Sequence, residues 1–142
     1  MRIRKLKITD YDEILKLWTR ANLPAKPKGR DTEEAMEKQM EASPDFFLGA
    51  FEGNRLIGVV MVSSDLRKGW INRLAVDPGY RHHGVAKALI SECESVLRKY
   101  GIRIFCALIE DDNDSSKKLF RKCGYVEHHD IIYFSKRESD DV

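Results

Sequence analysis

At 142 residues, with 42% apolar and 34% charged side chains, the chain can bury well over half of its unfolded surface as one domain, residues 1–142, without metal or disulfide staples; its composition excludes a disordered or collagen-like polypeptide. Its longest nearly apolar run, Leu56 to Val62, is far short of the roughly 18 residues of a spanning helix, and Met1 to Lys5 leads into no apolar stretch, so a cytoplasmic protein with no membrane partner is expected. A net charge of +2 argues against nucleic acid as a partner, although basic residues gather at Lys26, Lys28 and Arg30, at Arg81 to Lys87, and at Lys117, Lys118, Arg121 and Lys122.

Arg2 to Ile8 alternates basic and apolar residues, which predicts a first strand turning Ile3, Leu6 and Ile8 inward. Thr9 with Asp12 three residues on predicts a helix start capped by Thr9, with Ile14, Leu15 and Trp18 as the buried stripe. Pro24, Pro27 and Gly29 break regular structure between Leu23 and Gly29, a loop leading to a second helix. That helix is expected from Thr32 to Ala42, with Ala35, Met36, Gln39 and Met40 on its inner side. Two apolar runs, Phe46 to Phe51 and Leu56 to Val62, flank Glu52-Gly53-Asn54-Arg55 and predict a hairpin. Trp70 to Val76 reads as the next strand, closed by Asp77-Pro78-Gly79.

A long helix follows from Gly84 to Tyr100, its apolar residues Val85, Leu89, Cys93, Val96 and Tyr100 spaced three and four apart. Arg98 and Lys99 suit its negative end, and Gly101 suits the position just beyond it. Ile102 to Ile109 is an almost unbroken apolar run and predicts a central strand covered on both faces. Asn113 to Lys122 reads as a short helix stopped by Cys123-Gly124; Tyr125 to His128 and Ile131 to Ser135 are expected to close the chain as paired strands. The fold class is α/β in the mixed, α+β sense, with antiparallel hairpins early and a strand-helix-strand crossover later. Cys93, Cys106 and Cys123 are odd in number and lack Cys-x-x-Cys spacing, so reduced thiols are expected.

The segment Leu74 to Ile90 carries the most chemistry. A strand ends, a tight turn follows, and a loop with Gly84 runs straight into a long helix. The start of such a helix offers backbone N–H groups with no partner inside the helix, together with the positive end of its dipole. An anion is bound there without a dedicated side chain. Gly84 permits close approach, Ala86 keeps the next turn open, and Arg81, His82, His83 and Lys87 add positive charge. Phosphate or pyrophosphate is the ligand this arrangement suits. The Gly-Lys-Ser/Thr of a Walker loop is absent, and so is the triple-glycine dinucleotide fingerprint.

Arg81-x-x-Gly84-x-Ala86, preceded by Leu74-Ala75-Val76-Asp77-Pro78, resembles the coenzyme A pyrophosphate loop of the GNAT superfamily of N-acetyltransferases. A second signature is similar too: Asn113 opens a helix that passes Leu119-Phe120 and ends at Gly124-Tyr125. The resemblance spans Ile3 to Lys136, with specific motifs only between Leu74 and Tyr125. It implies a mostly antiparallel central sheet flanked by helices, with strands diverging at the acetyl-CoA site. It further implies direct transfer of the acetyl group of acetyl-CoA, the co-substrate, to a primary amine of a protein N-terminus, a lysine or a small molecule. Position by position, Leu74, Ala75 and Val76 would pair with the pantetheine arm, with the Val76 amide donating to the thioester carbonyl. The amides of His82, His83, Gly84, Val85, Ala86 and Lys87, beside Arg81, would hold the pyrophosphate. Asn113 would bind or border the pantetheine, Phe120 lies on the same helix, and the basic residues from Lys117 to Lys122 would border the nucleotide's 3′-phosphate. The acceptor side would be built by the first two helices and the last strands.

The chain also departs from that pattern. Many members place a tyrosine where Phe120 stands, and phenylalanine donates no proton to the leaving thiolate. Tyr133 is the favoured replacement, with Tyr125 or water as alternatives. A branch acting on protein N-termini has a glutamate where Leu108 stands; strand alternation would put Glu110 on the face of Cys106 and Leu108, as the nearest base. Asp111 and Asp112 would form an acidic rim for a cationic amine. His82-His83 and His128-His129-Asp130 have no chelating spacing, so no metal is expected. Trp18, Trp70, Phe46 and Phe47 suit core or pocket wall. A non-catalytic acyl-CoA-binding module or sensor is the competing class. A monomer or a homodimer is compatible with the pattern.

Overall fold

The computed structural model describes residues 1–142 and contains one mixed sheet, with strands β1 (Arg2–Lys5), β2 (Phe47–Glu52), β3 (Arg55–Ser64), β4 (Gly69–Val76) and β5 (Phe105–Cys106) in that spatial order. The first four strands are antiparallel neighbours, and β5 joins β4 in parallel. Helices α1 (Tyr11–Arg20) and α2 (Glu33–Ala42) follow β1, α3 (Val85–Lys99) follows β4, and α4 (Asp114–Lys122) follows β5.

Both faces of the sheet are covered. On one, Val85, Leu89, Cys93 and Leu97 of α3 pack on Leu48, Ala50, Ile57, Val60 and Val62. On the other, Ile14, Leu17 and Trp18 of α1 and Met36 and Met40 of α2 pack on Phe47, Phe51, Val59 and Met61. Two-sided burial explains why β2 and β3 read as continuous apolar runs rather than alternating ones. Gly58 sets the approach of α3: a Cβ there would lie 2.8 Å from Val85 and 2.9 Å from Leu89, so only glycine lets the start of α3 rest on β3.

Several local expectations are corrected. β1 ends at Lys5, and a 3-10 turn over Ile8–Asp10 precedes α1; Leu6 is buried while Ile3 and Ile8 are half-buried. Asp10, not Thr9, organises this start. Its carboxylate accepts the Lys7 N–H at 2.8 Å and takes both Arg4 guanidinium nitrogens at 2.9 and 3.0 Å. The stripe of α1 is Ile14, Leu17 and Trp18, with Leu15 half-buried at its margin. In α2 the Thr32 hydroxyl accepts the Ala35 N–H at 3.1 Å as a cap, and Met36 and Met40 point inward one turn apart, which leaves Gln39 exposed.

The largest correction lies beyond α3. Of Ile102 to Ile109 only Phe105–Cys106 pairs, and it does so at the sheet edge rather than the centre. Ile102 is buried, but Ile104 and Leu108 are 52% and 58% exposed. Tyr125 to His128 and Ile131 to Ser135 form no strands, so no strand pairs with the outer edge of β5. This segment is anchored at its two ends instead. Lys117 and Arg121 hold Glu127 at 3.6 and 3.1 Å, while the Lys26 and Arg30 side chains donate to the carbonyls of Asp140 and Val142 at 2.7 and 3.0 Å. Between those anchors Ile131, Ile132, Tyr133 and Phe134 stand exposed. An apolar run cannot state whether a ladder partner exists, which is why the sequence pattern overreached here. No helix is long and apolar enough to cross a membrane.

Candidate functional site

The site is built where β4 leaves β5. β4 continues to Val76, but β5 accompanies it only at Gly69 and Trp70, the first contact reinforced by the Gly69 N–H donating to Ile104 O at 2.9 Å. Toward β3 the pairing shifts register between Val59 and Met61, so that Arg73 and Leu74 together face Val60. Past this bulge Val76 lies opposite Gly58, and the following residue, Asp77, donates its N–H to Ile57 O at 2.8 Å. In an antiparallel ladder hydrogen-bonded pairs alternate with pairs whose polar groups point outward. Val76 is therefore an outward pair, and its N–H and C=O face the side that β5 has vacated. The expected divergence of strands is present at this point.

The turn after β4 aims the chain at α3. The Asp77 carboxylate accepts the Gly79 N–H at 2.9 Å, and Pro78–Tyr80 form a 3-10 turn. His82 and Gly84 both have positive φ, +66° and +78°, which turns successive backbone amides toward the start of α3. Gly84 is the N-cap of α3 and has no side chain with which to cap it; an added Cβ would meet nothing within 4 Å. The first-turn N–H groups of Val85, Ala86 and Lys87 thus open onto an unobstructed space. Arg81, His82, His83 and Lys87 are exposed around it, and the His83 ring rests edge-on against Tyr80 at 6.3 Å. Leu74, Ala75, Val76 and the Arg81–Lys87 loop are thereby brought to one end of the sheet.

Asp77 is a residue whose anchoring role the sequence pattern did not reveal, although its place before Pro78-Gly79 marks it as a cap. It is 5% exposed and binds Arg20 of α1 at 3.1 Å and Arg55 of the β2–β3 hairpin at 3.0 Å. Burial alone would raise its pKa; the Gly79 N–H, the Arg55 hydrogen bond and the Arg20 charge outweigh this and hold the carboxyl below its usual range. Asp77→Ala is expected to cost about 2–3 kcal/mol, because the arginines and the Gly79 N–H lose their shared acceptor. Because the folded pKa is the lower one, this stabilisation is present above the unfolded carboxylate pKa of about 4 and is lost as pH falls through the folded value. Urea unfolding of wild type and variant should therefore differ at neutral pH and converge in acid.

The second signature is also in place, with two qualifications. Asn113 is the N-cap of α4, and its side-chain oxygen accepts the Ser116 N–H at 3.1 Å, with its NH₂ left to donate to a ligand. Phe120 is buried against the α3 core, with the Tyr125 ring edge-on at 5.0 Å. The Tyr125 hydroxyl donates to Glu94 at 2.7 Å; burial and that carboxylate raise its pKa far above the phenol range, so its proton is held on α3. Lys117 is engaged by Asp111 at 3.0 Å and by Glu127, and Arg121 by Glu127, so much of this basic face is neutralised internally.

The two residues expected to move protons both lie on exposed chain beyond β5. Glu110 is exposed in irregular chain, because β5 stops at Cys106 and the alternation that would align it with Cys106 and Leu108 does not extend that far. Tyr133 is 66% exposed and lines a shallow cleft with Arg30, Ser135, Lys136 and Val142. His82, His83, His128 and His129 form no group of three potential metal ligands with any Cys, Asp or Glu.

The model of the acetyltransferase (GNAT) family matches residues 11–125. An acetyltransferase of Photorhabdus laumondii is 33% identical over 96% of this chain and 95% of its own length, and one of Sodalis glossinidius is 31% identical over 99% and 98%. Among solved structures, the PaiA N-acetyltransferase of Thermoplasma acidophilum in complex with coenzyme A superimposes with a TM-score of 0.75 at 25% identity, covering 86% of this chain and 87% of that one.

Proposed function

The chain belongs to the acetyltransferase (GNAT) family, and we propose that it transfers acetyl from acetyl-CoA directly to a primary amine, of a protein N-terminus, a lysine or a small molecule. The observation that carries this reading is the outward-facing Val76 edge beside the uncapped start of α3. On this reading residues 1–142 act as one cytoplasmic domain, a monomer or homodimer, with acetyl-CoA and an amine as its partners rather than nucleic acid or membrane.

Acetyl-CoA supplies a thioester whose thiolate leaves as the amine nitrogen bonds to the acetyl carbon. Leu74, Ala75 and Val76 take the pantetheine amides as a β-ladder on the vacated edge, and the Val76 N–H meets the negative charge that develops on the carbonyl oxygen. The amides of the His82–Lys87 loop hold the pyrophosphate at the positive end of α3, with Arg81 and Lys87 as counter-charges. The Asn113 NH₂ and the Phe120 ring border the arm from α4. Glu110 removes the proton of the incoming ammonium, and Tyr133 gives one to the thiolate. A thiol pKa near 8.5 makes that thiolate a tolerable leaving group even before it is protonated.

Phe120, buried and without a proton, also supports a second reading, an acyl-CoA-binding module without turnover. Thiol release from acetyl-CoA, measured with N-terminal peptides, lysine peptides and polyamines, separates the two. Release that depends on one amine class supports the enzyme; coenzyme A binding with no release from any class supports the module. In the enzyme, Tyr133→Phe is expected to lower kcat by about 10²-fold at unchanged acetyl-CoA affinity. An unchanged kcat would remove Tyr133 from the mechanism.

A further inference from the structure

Resting on the acetyl-transfer reading, we propose that Arg73 is a positioning residue that clamps the Leu23–Asp31 loop to the β4 bulge and so fixes the acceptor wall against the thioester edge. The residue sits in the bulge, immediately before Leu74–Val76, with a φ of +53°, in the left-handed region that a side chain with a Cβ rarely adopts. Its guanidinium donates to Pro24 O at 3.0 Å and to Asp31 Oδ2 at 3.1 Å, and lies 4.1 Å from the centre of the Trp18 ring. The partners belong to the loop and its neighbours. Asp31 Oδ2 also accepts the Lys26 N–H at 2.6 Å, and the Tyr11 hydroxyl donates to Asp31 O at 2.6 Å, which ties α1 to the same point.

The arrangement is costly. Arg73 carries backbone strain, its charge is largely withdrawn from water beside an Asp31 side chain only 5% exposed, and two fully buried donors, Arg73 Nε and Trp18 Nε1, have no acceptor. Each feature lowers stability, and an uncharged residue in an unstrained strand at position 73 would avoid all but the Trp18 donor. Such costs persist where the surrounding structure holds a geometry that function requires. Here that geometry is the direction of β4 just before its outward-facing edge. A shift of the bulge would re-aim the Val76 N–H, and the same side chain carries the loop between α1 and α2 with it. Loop and edge therefore move as one.

Hydrogen exchange with acetyl-CoA as the probe tests this in the full chain. In wild type, acetyl-CoA should slow exchange both in residues 74–90 and in residues 23–31. In Arg73→Gly, which suits the positive φ but removes the clamp, and in the milder Asp31→Asn, the slowing should persist in 74–90 and vanish in 23–31. Turnover should fall about tenfold in both variants while acetyl-CoA affinity stays within about twofold, the signature of misplacement rather than of lost binding. Arg73→Lys, which keeps the charge without the fork, should restore part of the coupling. If acetyl-CoA slows 74–90 in wild type but leaves 23–31 unchanged, or if the slowing of 23–31 survives in both variants, the clamp is refuted. If acetyl-CoA slows exchange nowhere in wild type, the coenzyme reading falls and takes the clamp with it.

Discussion

Replacing Gly84 by valine is expected to weaken acetyl-CoA binding by at least about 10²-fold while the chain still folds, because two effects act on one backbone position. The φ of +78° lies where a β-branched residue is strained, and relaxing it would turn the first amides of α3 away from a common focus. The open space beside Gly84, within 4 Å of which an added Cβ would meet nothing, is also the space the pyrophosphate needs. Since the new side chain meets no core atom, the loss of stability should stay near the cost of one strained residue, about 1–3 kcal/mol. Calorimetric titration with acetyl-CoA, run beside a thermal melt, reads both quantities. Retained affinity in a folded Gly84→Val protein would remove the loop from the coenzyme site.

Val76→Pro is expected to lower kcat by about 10²–10³-fold, the loss associated with removing one backbone donor from a developing oxyanion. The substitution is unusually clean at this position. Proline in a strand normally breaks a ladder, but the Val76 N–H points away from β3 and has no ladder to break. The pyrophosphate loop is untouched, so affinity for coenzyme A should fall much less than turnover. A proline variant that melts close to wild type and transfers acetyl at the wild-type rate would show that another group stabilises the thioester oxygen. Ala75→Pro provides the contrast: Ala75 faces Val59 in a hydrogen-bonded pair, and proline there should unfold the strand instead.

The parts of the fold that the sequence expresses are those decided within a few residues. Glycine in Glu52-Gly53-Asn54-Arg55 has a φ of +59° and closes the expected hairpin, and Gly84 announces the helix start that carries the anion site. The repeat of Val85, Leu89, Cys93 and Val96 gives the buried face of α3 because a helix supplies its own hydrogen bonds, while Tyr100, expected on the same face, ends the helix 47% exposed. A strand does not, and Ile102 to Ile109 shows the consequence: its apolar content is real, yet only two residues find a partner. The same dependence on distant chain hides the roles of Tyr133 and Glu110, whose surroundings are set by the course of residues 107–138 rather than by their own neighbours. Arg73 was invisible for a further reason. Nothing in Asn72-Arg73-Leu74 marks a left-handed residue, because the bulge arises from a register shift against β3. Local capping rules point to Thr9, whereas the contact that organises this start is made by Asp10 with Arg4, six residues away across the turn.

The three unpaired thiols are graded by depth, and that gradation has a use. Cys93 is wholly enclosed between α3 and the sheet; burial, with Glu92 and Glu94 nearby, pushes its pKa up to about 12, so almost no thiolate exists there at neutral pH. Cys106 and Cys123 are only half-buried. A small alkylating reagent therefore meets Cys93 only when the layer between α3 and the strands parts, whereas the other two are partly accessible in the native state. The chain thus contains its own clock for core opening, one mass increment that arrives late, readable without a dye, a tag or a substituted residue.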